Sequence, residues 1–194
     1  MKKLLTAAWL LCSMGAMAQV DSTTAVQQIQ DRLDIYFQAN EEKDFDTVLD
    51  MVYPKLFTIA PRDLMKQQFT SLEAQGISFE IRDMSANSFS APFAHGEEQF
   101  VLIGYAHSMD MMMTDSSTQS SADMMLPFFE MQYGEDNVTY DSTAYTFTIA
   151  VDKVMLAVAP LDSKEWAFVD FSPEKPMVLD MLFDKAVVEH FLKE

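Results

Sequence analysis

The chain has 194 residues, and its 30 Asp and Glu outnumber its 13 Lys and Arg to give a formal net charge of −17 at pH 7. Such a surplus of acids repels phosphate backbones and anionic membrane surfaces, so nucleic acid and lipid headgroups are poor candidates for partners. The only cysteine is Cys12. The protein therefore cannot form an intramolecular disulfide, and packing must supply its stability.

The N-terminus has the pattern of a cleavable signal peptide. Lys2 and Lys3 precede an apolar run over residues 4–14, and Ala16 and Ala18 give the small-x-small cleavage motif. The run is too short to span a membrane. We therefore expect a signal peptide over residues 1–18, and one exported, soluble domain over 19–194, which is cysteine-free and located in the periplasm or outside the cell.

The first predicted helix begins at a capping box. Thr24 is followed three positions later by Gln27, and the two side chains can satisfy backbone N–H groups reciprocally. Apolar residues then recur at helical spacing as far as Asn40. This pattern predicts an amphipathic helix that buries one face.

Two further helices are predicted from capping residues and prolines. Asp44 can cap the second helix, and Pro54 ends it because a residue before proline avoids helical angles. Pro61 suits a first helical turn. Gly76 can adopt the left-handed conformation that ends this third helix.

After Gly76 the apolar residues alternate, as in a half-buried strand. Residues 99–113 are apolar on both faces, which predicts a long central strand, and the polar run 116–121 predicts a loop. Residues 124–133 are predicted as a short helix ended by Gly134. The remaining predicted elements are four strands and a closing helix, over residues 138–140, 145–151, 154–159, 166–171 and 177–193.

This order predicts an α+β fold, with N-terminal helices packed on a twisted antiparallel sheet and a C-terminal helix. The segments 36–39 (YFQA), 44–49 (DFDTVL), 53–57 (YPKLF) and 133–138 (YGEDNV) resemble secreted bacterial members of the nuclear transport factor two-like superfamily. That superfamily includes SnoaL-like proteins and ketosteroid isomerases. The resemblance implies a cone-shaped fold with a pocket between helices and sheet, which is either open or filled by the helix over 177–193.

Motifs of common catalytic classes are missing. The sequence has no Gly-x-Ser-x-Gly elbow and only five isolated glycines, so the usual hydrolase and nucleotide-binding motifs are not found. Acid or base catalysis needs a titratable group in an apolar pocket. Tyr105 and His107 share one face of the long strand and are the candidate ligand-binding residues, while Asp110 falls on the other face. A structural role in the core is the favoured interpretation of both residues.

The same strand also carries a possible metal site. His107, Met109, Met111 and Met113 project from one face, and imidazole with thioethers is a ligand set that suits Cu(I). Methionine is also a common filler of irregular cores. Core packing is the favoured interpretation because methionines occur throughout the chain.

These observations favour non-enzymatic binding of a small apolar ligand or a protein partner, and they call for no cofactor. Two alternatives stay open. One is an acid/base enzyme using a pocket near Tyr105 and His107, and the other is a Cu(I)-binding protein. A buried acid that converges with Tyr105 and His107 would favour the enzyme.

Overall fold

The computed structural model describes residues 22–193, so the expected signal peptide lies outside the described residues. The N-terminal part consists of three α-helices: α1 (Ser22–Glu41), α2 (Phe45–Asp50) and α3 (Arg62–Ala74). A 3₁₀ helix over Pro54–Thr58 connects α2 to α3.

The predicted start of α2 and both predicted ends of α3 are confirmed, but two other boundaries were wrong. Thr24 lies inside α1, which already includes Ser22, and α2 ends at Asp50 instead of reaching Pro54, because Val52 forms a β-bridge with Phe168. The Asp44 carboxylate accepts a hydrogen bond from the Thr47 N–H at 3.3 Å, which satisfies a backbone donor in the first turn of α2. Pro61 precedes the first residue of α3. Gly76 has a φ of +75°, the left-handed conformation that glycine adopts without steric cost.

Six strands form one antiparallel sheet in the order β1-β3-β5-β4, with β2 paired to β3 and β6 paired to β5. The two long central strands, β3 and β5, pair along almost their whole length. The strands are β1 (Ile77–Phe89), β2 (Phe93–His95), β3 (Glu98–Met113), β4 (Val138–Asp141), β5 (Thr146–Pro160) and β6 (Ala167–Asp170).

Four further helices cover this sheet: α4 (Ser116–Gln119), α5 (Ala122–Tyr133), α6 (Pro176–Leu182) and α7 (Lys185–Phe191). On one face of the sheet, α1 packs on a core that includes Val101 and Ile103, and α5 packs on the other end of the same face. On the opposite face, α6 and α7 pack on Phe100 and Leu156. The C-terminal helices therefore do not fill the space between α1 and the sheet.

The α+β prediction is confirmed, but further local predictions were wrong in the sheet and after it. Residues 145–151 and 154–159 belong to the single strand β5, because Asp152 and Lys153 pair with Ala106 and Tyr105 of β3 instead of forming a turn. The predicted loop after β3 contains α4, whose Thr118 hydroxyl donates to the Gly76 carbonyl oxygen at 3.2 Å.

The predicted C-terminal helix is interrupted. Phe183 is extended, with φ −130° and ψ 150°, and its ring stacks on Tyr53 at 5.6 Å. Burial of this aromatic ring against the sheet offsets the lost helical hydrogen bonds. Within residues 22–193, no helix is both long enough and apolar enough to cross a bilayer.

Candidate functional site

A cavity of about 320 Å³ lies between α2, α6 and the edge strand β6. Its wall is mainly aliphatic and comes from segments far apart in sequence. The aliphatic and thioether side chains that line it are those of Val48, Leu49, Val52, Leu56, Met65, Val169, Val178, Leu179 and Leu182.

Backbone hydrogen bonds hold the chain after α2 against β6 beside this cavity. The Tyr53 N–H donates to the Phe168 carbonyl oxygen at 2.9 Å, and the Phe168 N–H donates to the Met51 carbonyl oxygen at 2.8 Å. Val52 and Phe168 thus form a parallel β-bridge. This bridge fixes the distance between α2 and the sheet. The side chains of α6 complete the wall of the cavity between them.

Five polar residues contribute to the cavity wall: Tyr36, Asn40, Asp170, Ser172 and Lys175. Tyr36, Asn40 and Asp170 lie close together, and we call this group the polar end of the cavity. The Asn40 side-chain amide donates to the Tyr36 carbonyl oxygen at 2.7 Å, and the Tyr36 ring lies 5.1 Å from the Phe168 ring. These contacts fix the two α1 side chains in place, so the polar end is preformed.

Asp170 connects the cavity with the predicted residues of β3. Its Oδ1 atom accepts a hydrogen bond from the Tyr105 hydroxyl at 3.2 Å, and its Oδ2 atom lies 3.7 Å from Lys153 Nζ. The Asp170 side chain is 51% exposed. This carboxylate is therefore shared between a buried tyrosine, a surface lysine and the cavity.

The two tyrosines near Asp170 are held in the neutral form. Burial raises the pKa of both Tyr36 and Tyr105 well above the ordinary value, and the Asp170 charge raises the pKa of each further. At neutral pH each hydroxyl therefore keeps its proton and is a hydrogen-bond donor rather than a base.

His107 lies next to Tyr105 but does not line the cavity. Its ring stacks on the Tyr105 ring with 5.8 Å between centroids. Burial lowers the pKa of His107, and the Lys153 charge lowers it further. Its Nδ1 atom is buried and makes no hydrogen bond with the described part of the chain.

The methionine-rich end of β3 packs in an apolar cluster. Met113 is 2% exposed and lies in a core with Phe129 and Phe147, while Met109 and Met111 are half-buried against the same core. Asp110, on the opposite face, accepts hydrogen bonds from other polar side chains. Among residues 22–193 there is no group of three or more His, Cys, Asp and Glu suited to hold a metal.

Neither Tyr105 nor His107 lines the cavity, and only Tyr105 is connected to it, through Asp170. The residues of the polar end were not predicted from the sequence. Tyr36 and Asn40 were interpreted as part of an amphipathic helix, and Asp170 as part of the predicted strand over 166–171. One signal was available: Asp170 follows a run of apolar residues directly. A polar residue at a strand end is nonetheless common in proteins without any site.

Comparisons with protein families, with curated proteins and with solved structures gave no match for this chain.

Proposed function

We propose that this protein binds a compact, mainly apolar small molecule with one polar end, without chemical turnover. The observation that carries the proposal is the cavity between α2, α6 and β6, which has mainly aliphatic walls and a polar end formed by Tyr36, Asn40 and Asp170. Small-molecule sites are typically concave and apolar, with a few fixed polar groups that orient the ligand.

The size of the cavity limits the ligand. At about 320 Å³ it is roughly twice the volume of an apolar protein cavity that accommodates benzene. A bicyclic molecule or a short branched chain matches this volume. Long acyl chains and nucleotides do not.

The chemistry of the polar end favours binding over acid/base catalysis. The Asp170 carboxylate is half exposed and already lies near Lys153, whereas a catalytic carboxyl is usually shielded from water. Tyr105 and His107 lie behind Asp170 instead of facing the cavity. The Tyr36 hydroxyl, the Asn40 amide and Asp170 thus provide hydrogen-bonding groups for the polar end of a ligand.

The fold relationship and the location form part of this proposal. We propose that the chain is related to the nuclear transport factor two-like superfamily, a proposal supported by the order of N-terminal helices followed by an antiparallel sheet. We further propose that the protein is exported after cleavage behind Ala18. Mass spectrometry of the exported protein should give Gln19 as its first residue, and retention of residues 1–18 would contradict export by this route.

The binding proposal is tested with a variant that fills the cavity. A panel of bicyclic fragments, each with one amine, hydroxyl or carboxylate, is screened against the protein by saturation-transfer NMR. Val178→Trp places an indole where Val178 lines the cavity and should abolish binding of the hits. Met177→Trp is the matched control, because Met177 is 77% exposed on the same helix and its replacement should leave binding unchanged.

The role of the polar end is tested with the same hits. Asp170→Asn should weaken the binding of fragments that carry an amine or a hydroxyl, since these groups can donate hydrogen bonds to a carboxylate. Asp34→Asn changes the charge equally at an exposed position of α1 and is the control. Binding that survives Val178→Trp for every hit would overturn the proposed function.

A further inference from the structure

The solvent-facing side of α5 carries an apolar stripe that no described part of the chain covers. Met124, Phe128 and Met131 are 74%, 53% and 79% exposed. At 100° per residue these three side chains fall within a sector of roughly 60°. The opposite side of α5 is buried through Ala122 and Phe129, so the stripe is not needed to hold the helix on the sheet.

Acidic residues accompany this stripe. Asp123 and Glu130 are two helical turns apart on one flank of α5, and neither makes an ion pair with any residue over 22–193. The surrounding sequence from residue 83 to residue 152 contains eleven Asp and Glu but no Lys or Arg. Lys153 and Lys175 share a cleft with Tyr133, which lies on the opposite, half-buried side of the helix.

We infer that this surface, the α5 stripe with its acidic flank, docks a cationic amphipathic segment of another polypeptide. An apolar face on the partner would cover the methionines and the phenylalanine, while its Lys or Arg side chains would face Asp123 and Glu130. Opposite charges across such a surface accelerate encounter and fix the register of the partner. Flexible methionine side chains suit this use because they can repack against different apolar faces.

The acidic flank favours a cationic polypeptide over a second copy of the chain or an anionic membrane. A second copy of the chain would bring the same acidic flank against itself, and an anionic membrane would be repelled by it. The exposed pair Met177 and Met181 of α6 lacks a surrounding sequence free of Lys and Arg, since Lys175 and Lys185 lie on either side of it in sequence. The inference is independent of the proposed function because the stripe does not line the cavity of about 320 Å³.

The test uses a fluorescein-labelled peptide of about 18 residues, long enough to form a helix, with leucines on one face and lysines on the other. Fluorescence anisotropy with the purified protein should give saturable binding that weakens as salt rises. The triple variant Met124→Gln, Phe128→Gln, Met131→Gln should weaken binding by about tenfold or more. The control Met177→Gln, Met181→Gln removes exposed methionines elsewhere and should change binding by less than about twofold.

Charge and helical spacing are tested separately. Asp123→Asn, Glu130→Gln should weaken binding and flatten its salt dependence, whereas Asp34→Asn, Asp180→Asn removes two exposed acids elsewhere with little effect. A peptide of the same composition but shuffled order should bind more weakly than the original.

Three results would overturn the inference. Equal binding by the α5 triple variant and the α6 control would mean general attraction to an acidic protein. Dimerisation of the free protein that the α5 triple variant abolishes would assign the stripe to a second copy. Tighter binding to zwitterionic phosphatidylcholine vesicles than to the peptide, also lost in the triple variant, would assign it to a lipid surface.

Discussion

Among the individual residues, His107 has the least ordinary environment. Its ring stacks on the Tyr105 ring, and its pKa is lowered by burial first and by the Lys153 charge second. Since the folded-state pKa is depressed, the stability contributed by neutral His107 is present above pH 6.5, the ordinary value for the unfolded chain. That stability is lost as the pH falls from there through the folded-state pKa.

We predict that Lys153→Met raises the pKa of His107 while leaving it below 6.5, because burial persists after the lysine charge is removed. NMR titration of the histidine ring protons measures this directly, and Lys164→Met, at an exposed position, is the control. A wild-type His107 that titrates at or above its ordinary pKa would show that the ring is solvated.

At the scale of elements, the methionine-rich end of β3 behaves as core in the structure. Met113 is 2% exposed whereas Met131 of α5 is 79% exposed. Met113→Ala should therefore reduce the free energy of unfolding by about 2–5 kcal/mol through lost contacts and a cavity. Met131→Ala should change it by less than about 0.5 kcal/mol. Denaturant unfolding measures both.

The same measurement in the presence of Cu(I) tests the alternative that β3 holds a metal. If His107, Met109, Met111 and Met113 only pack, Cu(I) should leave the unfolding midpoint of the wild type unchanged. A Cu(I)-dependent rise in the midpoint, lost in Met109→Ala and Met111→Ala, would assign the strand to metal binding.

Which elements could be predicted depends on whether their signals are local. The start of α2 and both ends of α3 follow from Asp44, Pro61 and Gly76, each of which acts on backbone groups within a few residues. The continuity of β5 does not follow from local signals. Asp152 and Lys153 remain in the strand because they pair with β3, which is distant in sequence. Likewise, the break at Phe183 depends on contacts with Tyr53 and Phe100.

The candidate site also depends on contacts between segments that are distant in sequence. Tyr105 and His107 were proposed because a long apolar strand with two titratable residues is visible in a short stretch of sequence, but neither residue lines the cavity. The cavity itself is assembled from α1, α2, β6 and α6, and no periodicity in the sequence relates Asn40 to Asp170 or Val178. Its existence depends on the Val52–Phe168 bridge, which only the tertiary structure shows.

At the scale of the whole molecule, the excess of negative charge is the dominant electrostatic feature. A net charge of −17 opposes the compact state by self-repulsion, and most of the described ion pairs are solvent-exposed and individually weak. We predict that the Tm rises as added NaCl shortens the Debye length from about 30 Å to about 8 Å. Thermal unfolding at neutral pH measures this, and a fall in Tm with NaCl would mean that exposed ion pairs outweigh the repulsion.

The central claim, that the cavity between α2, α6 and β6 is a ligand site, is tested most directly by methyl NMR. The protein is labelled at its Ile, Leu, Val and Met methyl groups and titrated with the tightest fragment hit. The account predicts saturable shifts at Leu49, Val178 and Leu179, with Met109 and Met111 unaffected. Shifts centred on Met109 and Met111 with none at Val178 would contradict it, as would a panel in which no fragment produces saturable shifts at the cavity.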